Sequence, residues 1–109
     1  MSKQETKNQI LKFRDDRDWL KYHNGKDLSI SISLEANELL EIFQWSGKDL
    51  DRVDRLDRIK DELADIFIYC YMMADYYHLD VDEIISNKLK KNLNKYPDGK
   101  MINLTTKDD

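Results

Sequence analysis

A chain of 109 residues is long enough for one hydrophobic core and too short for a second independent domain. Apolar residues are 40% and charged residues 37%, with only 3 Gly and 1 Pro, which excludes a turn-rich β-sandwich and favours helices with a heavily solvated surface. The net charge of -4 argues against duplex nucleic acid as the main partner, and no apolar run approaches the length of a membrane span.

Four helical segments are expected. The first runs from about Lys3 to Tyr22, with Ile10, Phe13 and Leu20 on one face. Its opening, MSKQETKNQ, is polar and carries no secretory signal. HNGKD (His23 to Asp27) breaks it, and Asp27 is the expected N-cap of the second helix. That helix, about Leu28 to Trp45, begins with LSISISL, whose alternation is a strand signal. The run continues without a turn residue into EANELLEIF, so the whole stretch reads as helix, with the serines as small packing positions. SGKDLDRVDRLDR (Ser46 to Arg58) reads as a solvated connector with Asp/Arg pairs.

The third helix, about Val53 to His78, is almost wholly apolar from Leu63 onward, which calls for burial on most sides by the other helices and a partner subunit. Its Cys70 rules out an intrachain disulfide, suits a cytoplasmic setting, and is expected as a small buried residue. LDVDE carries a capping signature, Asp80 with Glu83 three later, for a fourth helix that stops before Pro97. Residues 1–97 are thus expected as one all-α domain and residues 98–109 as a short polar tail.

The second helix holds Glu35, Glu38 and Glu41. A turn of about 100° per residue places Glu35 in the arc of Ile42 and Leu39, and Glu38 between Ile42 and Trp45. Glu41 turns toward Asn37 and Gln44, hence to solvent. The third helix repeats the pattern: Glu62 shares an arc with Ile66, Tyr69 and Met73, and Asp65 lies between Met72 and Tyr76. Four acids on apolar faces repel one another unless positive charge lies between them. No Lys or Arg shares either arc within the motifs, and all-oxygen ligands select a hard cation, Mg²⁺ or Mn²⁺, over zinc. The competing interpretation is two solvated faces with ordinary acids.

On the fourth helix, Lys88, Asn92 and Lys95 share a face, as cations and an amide that hold phosphate would. Trp19 and Trp45 are candidates to sandwich a nucleobase. Together these features suggest a nucleoside polyphosphate.

Glu-x-x-Glu followed by Glu-x-x-Asp, here EANE (Glu35 to Glu38) and ELAD (Glu62 to Asp65), resembles the all-α nucleoside triphosphate pyrophosphohydrolases of the MazG-like superfamily. FRDDRDW, ELLEIFQW, ELADIFIY and NKLKKNLNKYP look like the compact subfamily that includes mammalian dCTP pyrophosphatase, and the likeness spans about Ile10 to Pro97. It implies a four-helix MazG-like bundle assembling as a homodimer or a dimer of dimers, with sites at subunit interfaces. Glu35, Glu38, Glu62 and Asp65 would be the Mg²⁺ ligands, and Glu38 would be the catalytic residue that orients or deprotonates water. Trp19 and Trp45 would flank the base, with His23 in the nucleotide pocket. Lys88, Asn92, Lys95 and Tyr96 would contact phosphates or close the site.

The implied reaction is hydrolysis of a (d)NTP to the monophosphate and pyrophosphate, for sanitation of the nucleotide pool. The chain departs from the dCTP-preferring pattern, which has a histidine where Ile10 stands, so cytosine preference is not implied. Its connector is also shorter and more charged. A dUTP or phosphoribosyl-ATP pyrophosphohydrolase is the close alternative, and a non-catalytic helical interaction module is the alternative from another class.

Overall fold

The computed structural model describes residues 2–44 and 50–95; Trp45, Tyr96, Pro97 and the 98–109 tail lie outside the described residues. Four α-helices carry the fold: α1 (Lys3–Asp16), α2 (Gly25–Glu41), α3 (Leu56–Tyr76) and α4 (Val81–Lys95). Short 3-10 turns at Leu20–Tyr22 and Val53–Arg55 precede α2 and α3. No strand occurs among the described residues, in keeping with the all-α expectation.

The helix ends follow local chemistry. Ser2 caps α1, its hydroxyl accepting the Glu5 N–H at 3.1 Å. Although the 3.6-residue pattern continues toward Tyr22, α1 stops at Asp16, because the chain turns left-handed at Asp18 (φ 56°). The Asp18 N–H then donates to the Asp15 carbonyl at 3.0 Å and the Trp19 N–H to the Arg14 carbonyl at 3.1 Å. This pair of bonds is a Schellman closure, which usually carries an apolar contact back to the last helical turn. Here that contact is the Trp19 ring edge-on to Phe13, centroids 5.3 Å apart.

The N-cap of α2 is Asn24, not Asp27. Asn24 Oδ1 accepts the Asp27 N–H at 2.8 Å, while Asn24 Nδ2 donates to Asp27 Oδ2 at 2.8 Å. The helix therefore starts three residues earlier than its apolar pattern does. LSISISL is helical, and the helix turns Ile30 outward (46% exposed). Of its serines only Ser31 is partly covered; Ser29 is exposed and donates to the Lys26 carbonyl at 2.8 Å.

The described residues form two compact units divided between His78 and Leu79. In the first, α3 packs along α2 and, over a shorter length, against α1. The core gathers Ile10 of α1, Leu28 of α2 and Met72 of α3, with Ile68, Tyr69, Tyr71 and Met73 packed around them. Arg14, 5% exposed, joins this interior and reaches α3, its Nη1 2.6 Å from Asp75 Oδ2. The all-round burial expected for α3 is not met within one chain: its buried residues are Met72 and Ala74, and Phe67 is 57% exposed. Cys70, expected inside, is exposed for the same reason, since that face of α3 stays open in the single chain.

The second unit is built on α4, whose start is capped as anticipated: Asp80 Oδ1 accepts the Glu83 N–H at 2.9 Å. Ile85, Leu89 and Leu93 remain exposed on it. Among the described residues no helix is long and apolar enough to cross a membrane.

Candidate active site

The four expected acids come from two helices that pack on each other, and three of them converge. One carboxylate oxygen each from Glu35 of α2 and Glu62 and Asp65 of α3 lies within 4.8 Å of the other two, all three side chains being half-buried. The i, i+3 spacing of Glu62 and Asp65 puts both on the side of α3 that meets Glu35. Glu38, one turn along α2, is exposed at the edge of the group, and its carboxylate acts on both Glu35 and Glu62. Glu41 points away and accepts a long hydrogen bond from Asn37 at 3.4 Å.

The electrostatics are those of a site short of positive charge. Burial, then the charges of Glu38 and Asp65 and hydrogen bonding with Glu38 and Glu62, push the Glu35 carboxyl up to about 7. Glu62 is raised by its hydrogen bond with Glu38, by burial and by the charges of Glu38 and Asp65, while its bond with Glu35 opposes the rise. Glu35 Oε2 and Glu62 Oε2 are buried without a hydrogen-bond partner. A buried carboxylate oxygen left unpaired is costly, and a hard cation is the partner that would satisfy several at once. The donor set therefore fits an oxygen-preferring divalent ion.

Beside the acids opens a cavity of about 340 Å³ lined by Trp19, Tyr22, His23, Asp27, Leu28, Ser31 and Tyr69. The Schellman closure of α1 delivers Trp19 to it, and the 3-10 turn that follows delivers Tyr22 and His23. Thus the structure brings together Trp19 and His23, two of the residues expected at a nucleotide pocket. Burial, and secondly the charge of Arg14, lower the pKa of His23, and its Nδ1 is buried without a partner. Both effects favour the neutral imidazole, and Nδ1 is left for a ligand.

Tyr69 joins the two halves of the site. It lines the cavity, and its hydroxyl is raised by burial and then by the charges of Glu35 and Asp65. Along α2, Asp27, Ser31 and Glu35 recur every four residues and form one stripe that spans about 12 Å at 1.5 Å per residue. On α3, Tyr69 stands one turn beyond Asp65. The seam thus runs from an aromatic cavity to a carboxylate cluster. The sequence points to Asp27 only as a helix cap, to Tyr69 only as an apolar neighbour of Glu62 and not to Ser31, yet extending the acid stripes by one and two turns places all three beside the acids.

Of the remaining expected residues, Trp45 and Tyr96 lie outside the described residues. Lys88, Asn92 and Lys95 share a face of α4 in the second unit, and Lys95 Nζ is buried without a hydrogen-bond partner. Ile10, where the dCTP-preferring pattern has histidine, is a core residue here (9% exposed).

Comparison with known proteins bears on the family and the fold. A sequence model of the MazG-like family matches residues 30–107. Over 90 residues the chain is 29% identical to dCTP pyrophosphatase 1 of Rattus norvegicus and 28% to that of Homo sapiens, covering 78% of this chain and 53% of each relative. The chain spans about half the length of the curated relatives it matches. A crystal structure of a pyrophosphatase from Archaeoglobus fulgidus superposes with a TM-score of 0.80 at 39% identity, covering 86% of this chain and 91% of that one.

Proposed function

Because the chain belongs to the MazG-like family, we propose that it is a nucleoside triphosphate pyrophosphohydrolase, converting a (d)NTP to the monophosphate and pyrophosphate. The observation that carries this reading is the seam between α2 and α3: orphaned carboxylate oxygens at one end and an aromatic cavity with an imidazole at the other. A nucleotide is the ligand class that needs both, a flat base for the cavity and phosphates neutralised by a divalent ion. Glu35, Glu62 and Asp65, joined by Glu38, would hold Mg²⁺, with Mn²⁺ as a substitute. When bound, the ion supplies positive charge against the phosphates and against the charge that develops during transfer.

The chain's own groups supply the rest. Trp19 and Tyr22 offer faces to the base, and His23 Nδ1 and Asp27 offer polar partners at its edge. Glu38, exposed at the rim of the cluster, is placed to orient or deprotonate the water that attacks the α-phosphorus in line. On α4 itself, Lys88, Asn92 and Lys95 form a face with the donors that bind phosphate.

The relatives named for dCTP make a dCTP-like or modified deoxynucleotide the first substrate to try, in a role of pool sanitation. The lone cysteine suits the cytosol for this activity. The open face of α3 supports assembly as a homodimer or homotetramer, which sedimentation analysis would test. The deciding experiment incubates the chain with Mg²⁺ and a panel of dNTPs, dUTP and phosphoribosyl-ATP, and resolves the products. Pyrophosphate with the monophosphate is expected. Orthophosphate with the diphosphate would overturn the reaction, and preference for dUTP or phosphoribosyl-ATP would move the chain to those branches.

A further inference from the structure

Among the described residues Arg14 is the buried charged side chain, and neither the carboxylate cluster nor the cavity lining includes it. Its guanidinium is held on both sides: Nη1 donates to Asp75 Oδ2 of α3 at 2.6 Å and Nε to Asp15 Oδ1 at 2.9 Å. Arg14 is buried while Asp75 and Asp15 are partly open to solvent, so the pairing adds little stability beyond the cost of burying the cation, and its presence at the α1–α3 contact points to another role. Two features give that role. The Arg14 carbonyl accepts the Trp19 N–H that closes the α1 cap, and the cap carries Trp19 and then His23 into the cavity.

We propose that Arg14 is a positioning residue for the cavity: anchored on α3 by Asp75, it fixes the turn that presents the Trp19 ring and the unpartnered Nδ1 of His23 to the ligand. The inference rests on the cavity being the base site of the function proposed above. Its electrostatic half is independent of that reading. Burial first, and then the Arg14 charge, disfavour the protonated ring of His23; in the neutral form its nitrogens offer one acceptor and one donor, where a charged ring offers donors alone. The titratable groups that line the cavity with His23 are Asp27 from α2, Tyr69 from α3 and Tyr22 from its own turn; the charge that acts on it is that of Arg14 from α1, which Asp75 pairs.

A histidine NMR titration of the full chain without nucleotide, with resonances assigned through His78→Gln, tests this. Arg14→Met keeps the bulk and removes the cation, and is expected to raise the His23 midpoint. Asp75→Asn leaves the cation with Asp15 as its one remaining counter-charge and is expected to lower it. Opposite movement is the signature, because a residue that only packs would loosen the turn in both variants and shift His23 the same way. Movement in one direction in both, or none in a folded Arg14→Met protein, overturns the proposal. If Arg14→Met does not fold, Asp75→Asn decides: a lower midpoint supports the role and a higher one overturns it.

Steady-state kinetics supply the second arm. With the best substrate among dCTP, dTTP, dATP and dGTP, Arg14→Met should raise KM about tenfold, or about 1.4 kcal/mol, more than it lowers kcat, and Arg14→Lys should recover part of the loss. An unchanged KM overturns the positioning role. A chain that hydrolyses none of the four, nor dUTP or phosphoribosyl-ATP, defeats the proposed function instead, and the titration alone then decides the role of Arg14.

Discussion

The two faces of α3 solve the same problem in opposite ways. Toward α2 the helix presents Glu62, Asp65 and Tyr69, and this seam ends in carboxylate oxygens that find no partner in the protein. Toward α1 it presents Ala64, Phe67, Ile68 and Tyr71, which with Thr6, Gln9 and Ile10 line an apolar hollow of about 460 Å³. One face is short of positive charge and the other is short of apolar cover. A packed interior meets neither condition on its own. What separates the faces is the kind of partner each asks for: the acid seam selects an ion and a polar ligand, whereas the hollow selects apolar surface, of the kind a second copy could supply. The contrast also explains why a helix so apolar as α3 is only sparsely buried in one chain.

The comparison can be broken from either side. Truncating the closed part of the core should cost most: Met72→Ala, at a residue 1% exposed, is expected to lower the unfolding free energy by about 3 kcal/mol, read by denaturant melts. The acid face follows. Glu62→Ala should lose about 100-fold in pyrophosphate release, or about 2.7 kcal/mol in the barrier, with a much smaller change in melting temperature. Near-normal turnover in that variant would separate the carboxylate cluster from the chemistry.

The pH dependence sharpens the same face. Glu35 titrates in the folded chain near 7, above its ordinary value of 4.5, so the stability it contributes is complete below about 4.5 and is lost as pH rises through about 7. Without metal the chain should therefore weaken across that window, by about 1 kcal/mol after allowance for solvent screening. Added Mg²⁺ should restore it above pH 7, where the carboxylates are ionised. A melting temperature that rises between pH 5 and 7 without metal would contradict the assignment.

The apolar face gives a smaller and conditional effect. Phe67→Ser should cost less than about 1 kcal/mol in dilute chain, because the side chain is already largely exposed, and more as concentration rises if a second copy covers it. The smallest effect is a gain. Asp18→Gly relieves the left-handed backbone at the α1 cap and should stabilise by about 0.5 kcal/mol.

Much of this was written in the sequence. Helix periodicity located all four helices, and the paired acids stood out because carboxylates on an apolar arc are expensive. Both signals are local, and local geometry turns them into position. The boundaries fared less well where a cap overrode the pattern. Asp18 is not the glycine that usually marks a Schellman closure, so the pattern alone carries α1 onward; Asn24 is the cap in place of Asp27 because its side chain accepts the N–H of Asp27 three residues later.

What the sequence determined alone is the set of groups on each helix face: the two acid pairs, the apolar stripes, and the motifs that mark a MazG-like chain. What only the tertiary structure decided is which of those faces meet. That Glu35, Glu62 and Asp65 converge while Glu38 stays at the rim, that Tyr69 belongs to both halves of the site, and that Arg14 reaches Asp75 across 61 positions all depend on how helices far apart in sequence pack. Periodicity sets a side chain's direction around its own axis. The distance between two axes is set by the side chains that fill the space between them, and no single segment contains that information.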